Sequence, residues 1–229
     1  MRVRTVVQWS LLLPLAAFPA AAQAQEEGLE EVVQELFITE TVYPQGQGEV
    51  QLTVDSNLET GYLGRFTAEY GITDQLQVMG STPVVQDDDG STNGEWSVGA
   101  LYNLLNTQAL AASVEVEAEF SSADDVVFEP ALIAARQLGP MLQVHGTVSA
   151  AFGDETEYFS GPGAMMDAGM FSPTLELTAS GQEHLETTIG LTPGIYLHLG
   201  HHAEIGAAAP IRLHGHDLPE LRAIATLEF

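Results

Sequence analysis

Hydrophobic and polar residues alternate along most of the chain beyond residue 48. Val50, Leu52 and Val54 interleave with polar neighbours, and the same period of two recurs to the last residue. The clearest further runs are 113–120, 142–152 and 221–229. Successive side chains of a β-strand point to opposite faces of the sheet, so this alternation predicts strands with one apolar and one polar face.

Two kinds of connection separate the alternating runs. Short turns are predicted at 71–74, 103–107, 138–140, 170–173 and 200–202. Longer polar loops are predicted at 55–60, 86–94, 121–125, 153–163, 179–183 and 214–219. Five turns and six loops make eleven connections and therefore predict twelve strands, with both ends of the chain on the short-turn side.

An even number of such strands is typical of a single-chain outer-membrane barrel, because an open sheet edge is not tolerated in lipid. We therefore predict an all-β fold, an antiparallel transmembrane β-barrel of about twelve strands, with ten as the alternative count. Its short turns would be periplasmic and its longer acidic loops extracellular. A soluble β-sandwich would show the same alternation and is the alternative.

The N-terminus has the features of an export signal. Arg2 and Arg4 precede an apolar run that closes with Ala22-Gln23-Ala24, a small-x-small pattern suited to signal peptidase. The predicted organisation is a signal peptide (1–24), a periplasmic N-terminal segment (25–47) and the barrel (48–229). Helical periodicity is confined to 26–36, where Leu29, Val32, Val33 and Leu36 would share a face.

The composition excludes several classes of protein. The chain has 32 Asp+Glu against 6 Lys+Arg, all of them Arg, and a formal net charge of -26. A nucleic-acid binder is excluded because almost nothing could neutralise phosphates. The absence of Cys rules out a disulfide scaffold, and 45% hydrophobic residues are too many for a disordered chain.

The last residue and three short segments carry a resemblance. Phe229 is the last residue of the final predicted strand and falls on its apolar face. It resembles the terminal aromatic residue of bacterial outer-membrane proteins. That resemblance implies that Phe229 is part of the signal read by the barrel assembly machinery. The segments 69–78, 101–106 and 191–196 resemble recurring hairpin turns of a family of outer-membrane transporters labelled "MetA-pathway of phenol degradation" proteins. The resemblance spans about 36–229 and implies an outer-membrane barrel.

If the alternate strand positions that carry apolar side chains face lipid, the positions between them line the lumen. That inward set is Arg65, Glu69, Glu115, Glu117, Glu119, His145, Glu176, Glu186, His198, Glu204, Arg212, Arg222 and Glu228. Arg65, Arg212 and Arg222 would gather on one wall, with the glutamates of strand five across the bore. Such a transverse field would orient polar solutes in an open channel, whereas charges that pair across the lumen would plug it.

Polar clusters elsewhere are interpreted as solvated loops. Six histidines lie in the last third of the chain: His184, His198, His201, His202, His214 and His216. Imidazole suits zinc or copper, but these residues divide between the two ends of the barrel and no HExxH motif is present. The acidic clusters 87–89, 124–125 and 154–155 could bridge divalent cations between loops, or simply be solvated.

The function predicted from the sequence is an outer-membrane channel or transporter for small solutes in a Gram-negative bacterium. The alternatives are a non-conducting structural barrel and a lipid-modifying enzyme. No catalytic, cofactor-binding or metal residue is predicted, and Gly-x-Ser-x-Gly is absent. Outer-membrane lipids and the assembly machinery are the predicted partners.

Overall fold

The computed structural model describes most of the chain beyond residue 31. The described residues are 32–34, 36–57, 63–83, 96–120, 126–182, 186–200, 202–215 and 221–229. Within these ranges, no helix has both the length and the apolar character needed to cross a membrane. The predicted signal peptide and the acidic clusters 87–89 and 124–125 lie outside the described residues.

The described chain folds into one antiparallel sheet. Its strands are β1 (Val50–Asn57), β2 (Leu63–Thr73), β3 (Leu76–Pro83), β4 (Trp96–Asn106), β5 (Leu110–Phe120), β6 (Val126–Gln137), β7 (Leu142–Phe152), β8 (Thr156–Met166), β9 (Phe171–Gln182), β10 (Thr188–His198), β11 (Ala203–Ala208), β12 (Ile211–His214) and β13 (Arg222–Glu228). Both β11 and β12 pair with β10, so together they fill one position in the wall. The result is the predicted closed barrel of twelve antiparallel strands, and this prediction is confirmed.

The break between β11 and β12 falls at Ala209 and Pro210. Proline has no backbone N–H and cannot donate to a neighbouring strand. The N–H of Ala209 still bonds the carbonyl of Pro193 on β10, at 3.1 Å. One strand of the wall is therefore interrupted without opening the sheet.

The first and last strands close the barrel. Gln51 on β1 pairs with Glu228 on β13, and β13 pairs on its other side with β11. Val50 and Phe229 exchange two backbone hydrogen bonds of 2.9 and 3.1 Å. Phe229 is 69% exposed and lies at the end of the barrel that carries the short turns, which we call the turn end. Its role in assembly stays a prediction.

The two faces of the wall differ in polarity in the way a membrane requires. On β7, Val148 is 55% exposed, whereas its neighbours Thr147 and Ser149 are 3% and 8% exposed. The same contrast recurs around the barrel, with large apolar side chains outside and Gln, Ser, Thr and Glu buried inside. A soluble β-sandwich would bury the apolar face instead, so this alternative does not fit.

The predicted loop at 153–163 is wrong over most of its length, because β8 begins at Thr156. The range includes Gly161 and Gly163, which lie within this strand. A Cβ at Gly161 would overlap Cγ2 of Thr39, and one at Gly163 would overlap the ring of His145. These glycines make room for side chains inside the barrel rather than for a turn.

Three smaller predictions also need correction. The segments 101–106 and 191–196 lie within β4 and β10 and are not hairpin turns, whereas 69–78 does contain the β2–β3 turn. The predicted loop at 179–183 begins too early, since β9 continues to Gln182. Among 32–34 and 36, the described part of the predicted helix, no residue is helical, because these residues are held by contacts with the barrel interior.

Cysteine labelling tests which end of the barrel faces the cell exterior. An impermeant maleimide is expected to label Asp154→Cys on intact cells, because Asp154 is exposed in the β7–β8 connection at the end opposite the turn end, which we call the loop end. Asp167→Cys, exposed in the β8–β9 turn, should react only after the outer membrane is permeabilised. The chain has no natural cysteine, so each variant presents one thiol. The reverse labelling pattern would show that the barrel is inverted.

Candidate functional site

The inward face of the wall gathers most of the predicted lumen residues. Glu69, Glu115, His145, Glu176 and Glu204 are buried, whereas Glu117, Glu119, His198, Arg222 and Glu228 are partly buried. Arg65 and Arg212 are exposed near the loop end, and Arg212 pairs with the buried Gly190 and so projects to the same side of the sheet.

Glu186 lies at the rim of the barrel, and its lumen position stays a prediction. It precedes β10 at the loop end, and its Oε1 lies 3.0 Å from Nε2 of His214. Both side chains are more than half exposed, so this contact contributes little to stability.

Arg65, Arg212 and Arg222 lie on β2, β12 and β13, a neighbouring part of the wall, but Arg65 is not separated from the glutamates of β5. Nη2 of Arg65 lies 3.4 Å from Oε1 of Glu119, because β2 and β5 are only three strands apart in the wall. Arg222 donates to Asp55 on the adjacent strand β1. Positive and negative groups therefore pair near the loop end instead of facing each other across an open channel.

The N-terminal segment occupies the lumen. We call residues 32–49, of which residue 35 is not described, the lumen segment. The sequence predicts that residues 25–47 lie in the periplasm, but the described part of that range contacts inward side chains all around the wall. Periodicity could not reveal this location, because the polar partners of the segment are spread over distant strands.

The lumen segment begins its contacts near the turn end. The N–H of Gln34 donates to Oε2 of Glu204 at 3.0 Å, and its side-chain amide donates to Glu228 at 2.6 Å. Glu204 also lies 2.9 Å from Nδ1 of His198, which in turn lies 2.7 Å from the hydroxyl of Ser172. The predicted lumen residues Glu204 and Glu228 thus hold the incoming chain.

Glu176 holds the innermost part of the segment. Its carboxylate accepts backbone N–H bonds from Phe37 and Ile38 at 3.2 Å and from Thr39 at 2.8 Å. The Thr39 hydroxyl donates to the same carboxylate at 2.8 Å and lies 3.3 Å from Nδ1 of His145. Successive N–H groups that converge on one anion form a strong, oriented contact.

The chain then turns back toward the turn end. The carbonyl of Val42 accepts hydrogen bonds from Ser113 at 2.5 Å and Asn103 at 3.4 Å. Gln45 bonds Gln77 and Gln51, each at 2.7 Å, just before β1 begins. The lumen segment is therefore a re-entrant loop that enters and leaves by the turn end, with its apex at 38–40.

Apolar contacts support the same path. Phe37 packs against Tyr196 with ring centroids 4.6 Å apart, in a cluster that also contains Ile224 and Met165. Val42 and Tyr43 pack against Leu101 and Ile133. A Cβ at Gly194 or Gly206 would overlap the Phe37 ring, so these glycines make space for it.

A cavity of about 250 Å³ lies between the apex of the lumen segment and the loop end. Four acidic residues line it, namely Glu40, Glu115, Glu129 and Glu157. Of these, the sequence predicts only Glu115 as a lumen residue. The sequence predicts Glu40 in the periplasmic segment and Glu157 in a loop. Glu129 lies on β6, where both faces carry apolar residues, so the alternation does not show which face is inside.

Within the described ranges, no group of three or more His, Asp or Glu residues is placed to hold a metal ion. His184, His201 and His216 fall outside those ranges, and Asp154 and Glu155 are exposed. Divalent-cation binding at the acidic loops therefore stays a prediction.

Comparison with known proteins places the fold. The sequence matches no protein-family model, and none of the curated proteins matches it. The structure is similar to the KdgM porin, with a TM-score of 0.59 and 9% identity over 79% of this chain and 98% of that chain. It is also similar to the NanC porin, with a TM-score of 0.53 and 8% identity over 79% of this chain and 97% of that chain. The chain therefore has the fold of an outer-membrane porin.

Glu176→Gln tests whether this carboxylate holds the lumen segment. The substitution keeps the shape but removes the charge and one acceptor, and hydrogen bonds to charged groups contribute about 1.5–3 kcal/mol. Amide exchange at residues 37–39, followed by mass spectrometry, should become roughly tenfold faster or more. Glu155→Gln, an exposed substitution at the loop end, serves as the control and should leave exchange unchanged. Equal protection in the two variants would contradict the assignment.

Proposed function

We propose that this protein is an outer-membrane channel for small polar solutes and that the lumen segment closes it. The observation that carries the proposal is the polarity of the inward-facing strand residues. Gln51, Gln77, Gln143 and Thr192 are examples of polar side chains buried inside the wall. Without the lumen segment, these groups would line a water-filled bore, as in porins.

The path of the lumen segment suits a plug that can leave. Both of its ends lie at the turn end, since Gln34 contacts Glu204 and the N–H of Gly48 bonds the carbonyl of Gly71 at 2.8 Å. A loop held in this way can withdraw toward the turn end without passing through the barrel. Many of its contacts with the wall are hydrogen bonds, for which water can substitute, whereas Phe37 and Val42 would leave apolar contacts on withdrawal.

The charge of the lumen favours cations over anions. Glutamates outnumber arginines on the inward face, and the cavity at the loop end is lined by acids alone among its charged residues. One KdgM structure holds that porin in complex with oligogalacturonate, which is a polyanion. An acid-lined channel repels such a molecule, so the cargo of this chain differs in charge.

A disulfide between the segment and the wall tests the plug. Thr39→Cys combined with Gly161→Cys places two thiols together, because a Cβ at Gly161 would overlap Cγ2 of Thr39. In planar bilayers, the oxidised double variant should be silent and should conduct again after reduction. Thr39→Cys alone is the control and should conduct regardless of oxidant. Equal conductance of the oxidised and reduced forms would show that the segment is not the gate, and a silent wild-type protein under all conditions would favour the structural barrel.

Neutralising the strand-five glutamates tests the selectivity. Glu115→Gln, Glu117→Gln and Glu119→Gln together should shift the reversal potential in a salt gradient toward anions, because three inward acids are removed. The shift should be largest near 0.01 M salt, where the Debye length is about 30 Å. The matched control is Glu155→Gln, which lies outside the lumen and should not change the reversal potential. A selectivity that ignores the triple substitution would contradict the lumen assignment.

A further inference from the structure

We propose that the cavity above the apex of the lumen segment is a binding site for a small organic cation that carries primary ammonium groups. This deepens the proposed channel function by naming the class of solute that the channel would accept. The site comprises the carboxyl groups of Glu40, Glu115 and Glu129, the hydroxyl of Thr147 and the ring of Phe159.

The first observation is an excess of acid without a base. None of the residues that line the cavity is Arg or His, and the chain has no lysine. Arg65 is engaged with Glu119 at 3.4 Å. Acidic groups crowded in this way repel one another, and a bound cation relieves that repulsion.

The second observation is independent of the acids. Thr147 lies on the cavity wall and is only 3% exposed, and its Oγ1 has no hydrogen-bond partner among the described residues. A buried hydroxyl without a partner is costly, and such groups in native proteins call for an explanation. An ammonium group, which donates three hydrogen bonds, satisfies this oxygen together with the neighbouring carboxyl groups.

Glu115 lies on the same side of the barrel as Thr147, because β5 and β7 are separated only by β6. It is 6% exposed, and within the described ranges no hydrogen bond or ion pair engages its carboxyl group. Glu129 differs, because it accepts a hydrogen bond of 2.6 Å from Ser149 and is thereby held in place. Among the described residues, the site thus combines one positioned carboxyl group, that of Glu129, with the Thr147 hydroxyl and the Glu115 carboxyl group, for which no hydrogen-bond partner is seen.

The cavity favours an organic cation over a metal ion. No cluster of three acidic or histidine ligands in the described ranges has the spacing for a metal. The walls between the acids are apolar, formed by Ile38, Ala131, Ala151 and the ring of Phe159. Alkyl carbons can pack on such walls, and an ammonium group is attracted to an aromatic face. A volume of about 250 Å³ accommodates a short diamine.

Titration calorimetry on the purified full chain in detergent tests the site without relying on transport. The probes are 1,4-diaminobutane, the uncharged 1,4-butanediol, the dianion succinate and magnesium chloride. They separate charge, carbon skeleton and metal character, since the three organic probes have equal carbon number. The diamine should bind saturably, whereas the other three should not.

Variants locate the binding. Glu115→Gln with Glu129→Gln should weaken diamine binding roughly tenfold or more, because two charge-assisted contacts are lost. Thr147→Val keeps the shape, removes one acceptor and should weaken binding about threefold to tenfold. Glu155→Gln, which does not line the cavity, should bind like the wild type. Heat modifiability on gels verifies that each variant is a folded barrel.

The outcomes separate the site from the channel. Absence of diamine binding, equal binding of butanediol or magnesium, or binding that ignores the Glu115→Gln and Glu129→Gln pair would overturn the proposed site. A protein that binds the diamine at this cavity yet never conducts would support the site and refute the channel. A protein that conducts ions but does not bind the diamine would support the channel and refute the site.

Discussion

The structure depends on one constraint: a sheet that closes in lipid must turn its apolar side chains outward. Closure through β13 and β1 joins the two sides of the described sheet, and the alternation along each strand then places the polar residues inside. A polar interior cannot remain empty, because buried hydrogen-bonding groups need water or polypeptide as partners. In this chain, the lumen segment supplies many of those partners.

The inner face of the wall is complementary in shape and in hydrogen bonding to the lumen segment. Inward apolar residues are few, and those that are buried, such as Tyr196 and Ile133, pack against Phe37 or lie in the cluster of Val42. Glycine at 161 and at 194 gives the backbone room for Thr39 and Phe37. Glu176 adds a directional contact, since three consecutive N–H groups can meet one carboxylate in only a narrow range of orientations. The resting position of the loop is therefore defined by shape as well as by charge.

The barrel could be predicted from the sequence because its signals are local. Period-two alternation defines each strand, and the parity of Val148 against Thr147 shows which face is outside. The lumen segment could not be predicted in the same way. Its partners, such as Glu176 for Thr39, are 137 residues away in sequence, and no local pattern reports such a distance. The role of Gly161 could not be predicted for the same reason, since the atom that a side chain there would meet belongs to Thr39.

The charges inside the barrel are satisfied unequally along its axis. Toward the turn end, Glu204 and Glu228 each accept a hydrogen bond from Gln34, so the lumen segment supplies some of the donors that these carboxylates need. The segment turns back at its apex, so the cavity between the apex and the loop end is lined by Glu115 and Glu129 from the wall and by Glu40 from the segment itself. On the proposed channel function, a solute that enters from the loop end meets these acids before it meets the lumen segment. On that proposal, the field in the cavity concentrates cations next to the apex, so selection by charge would precede displacement of the lumen segment.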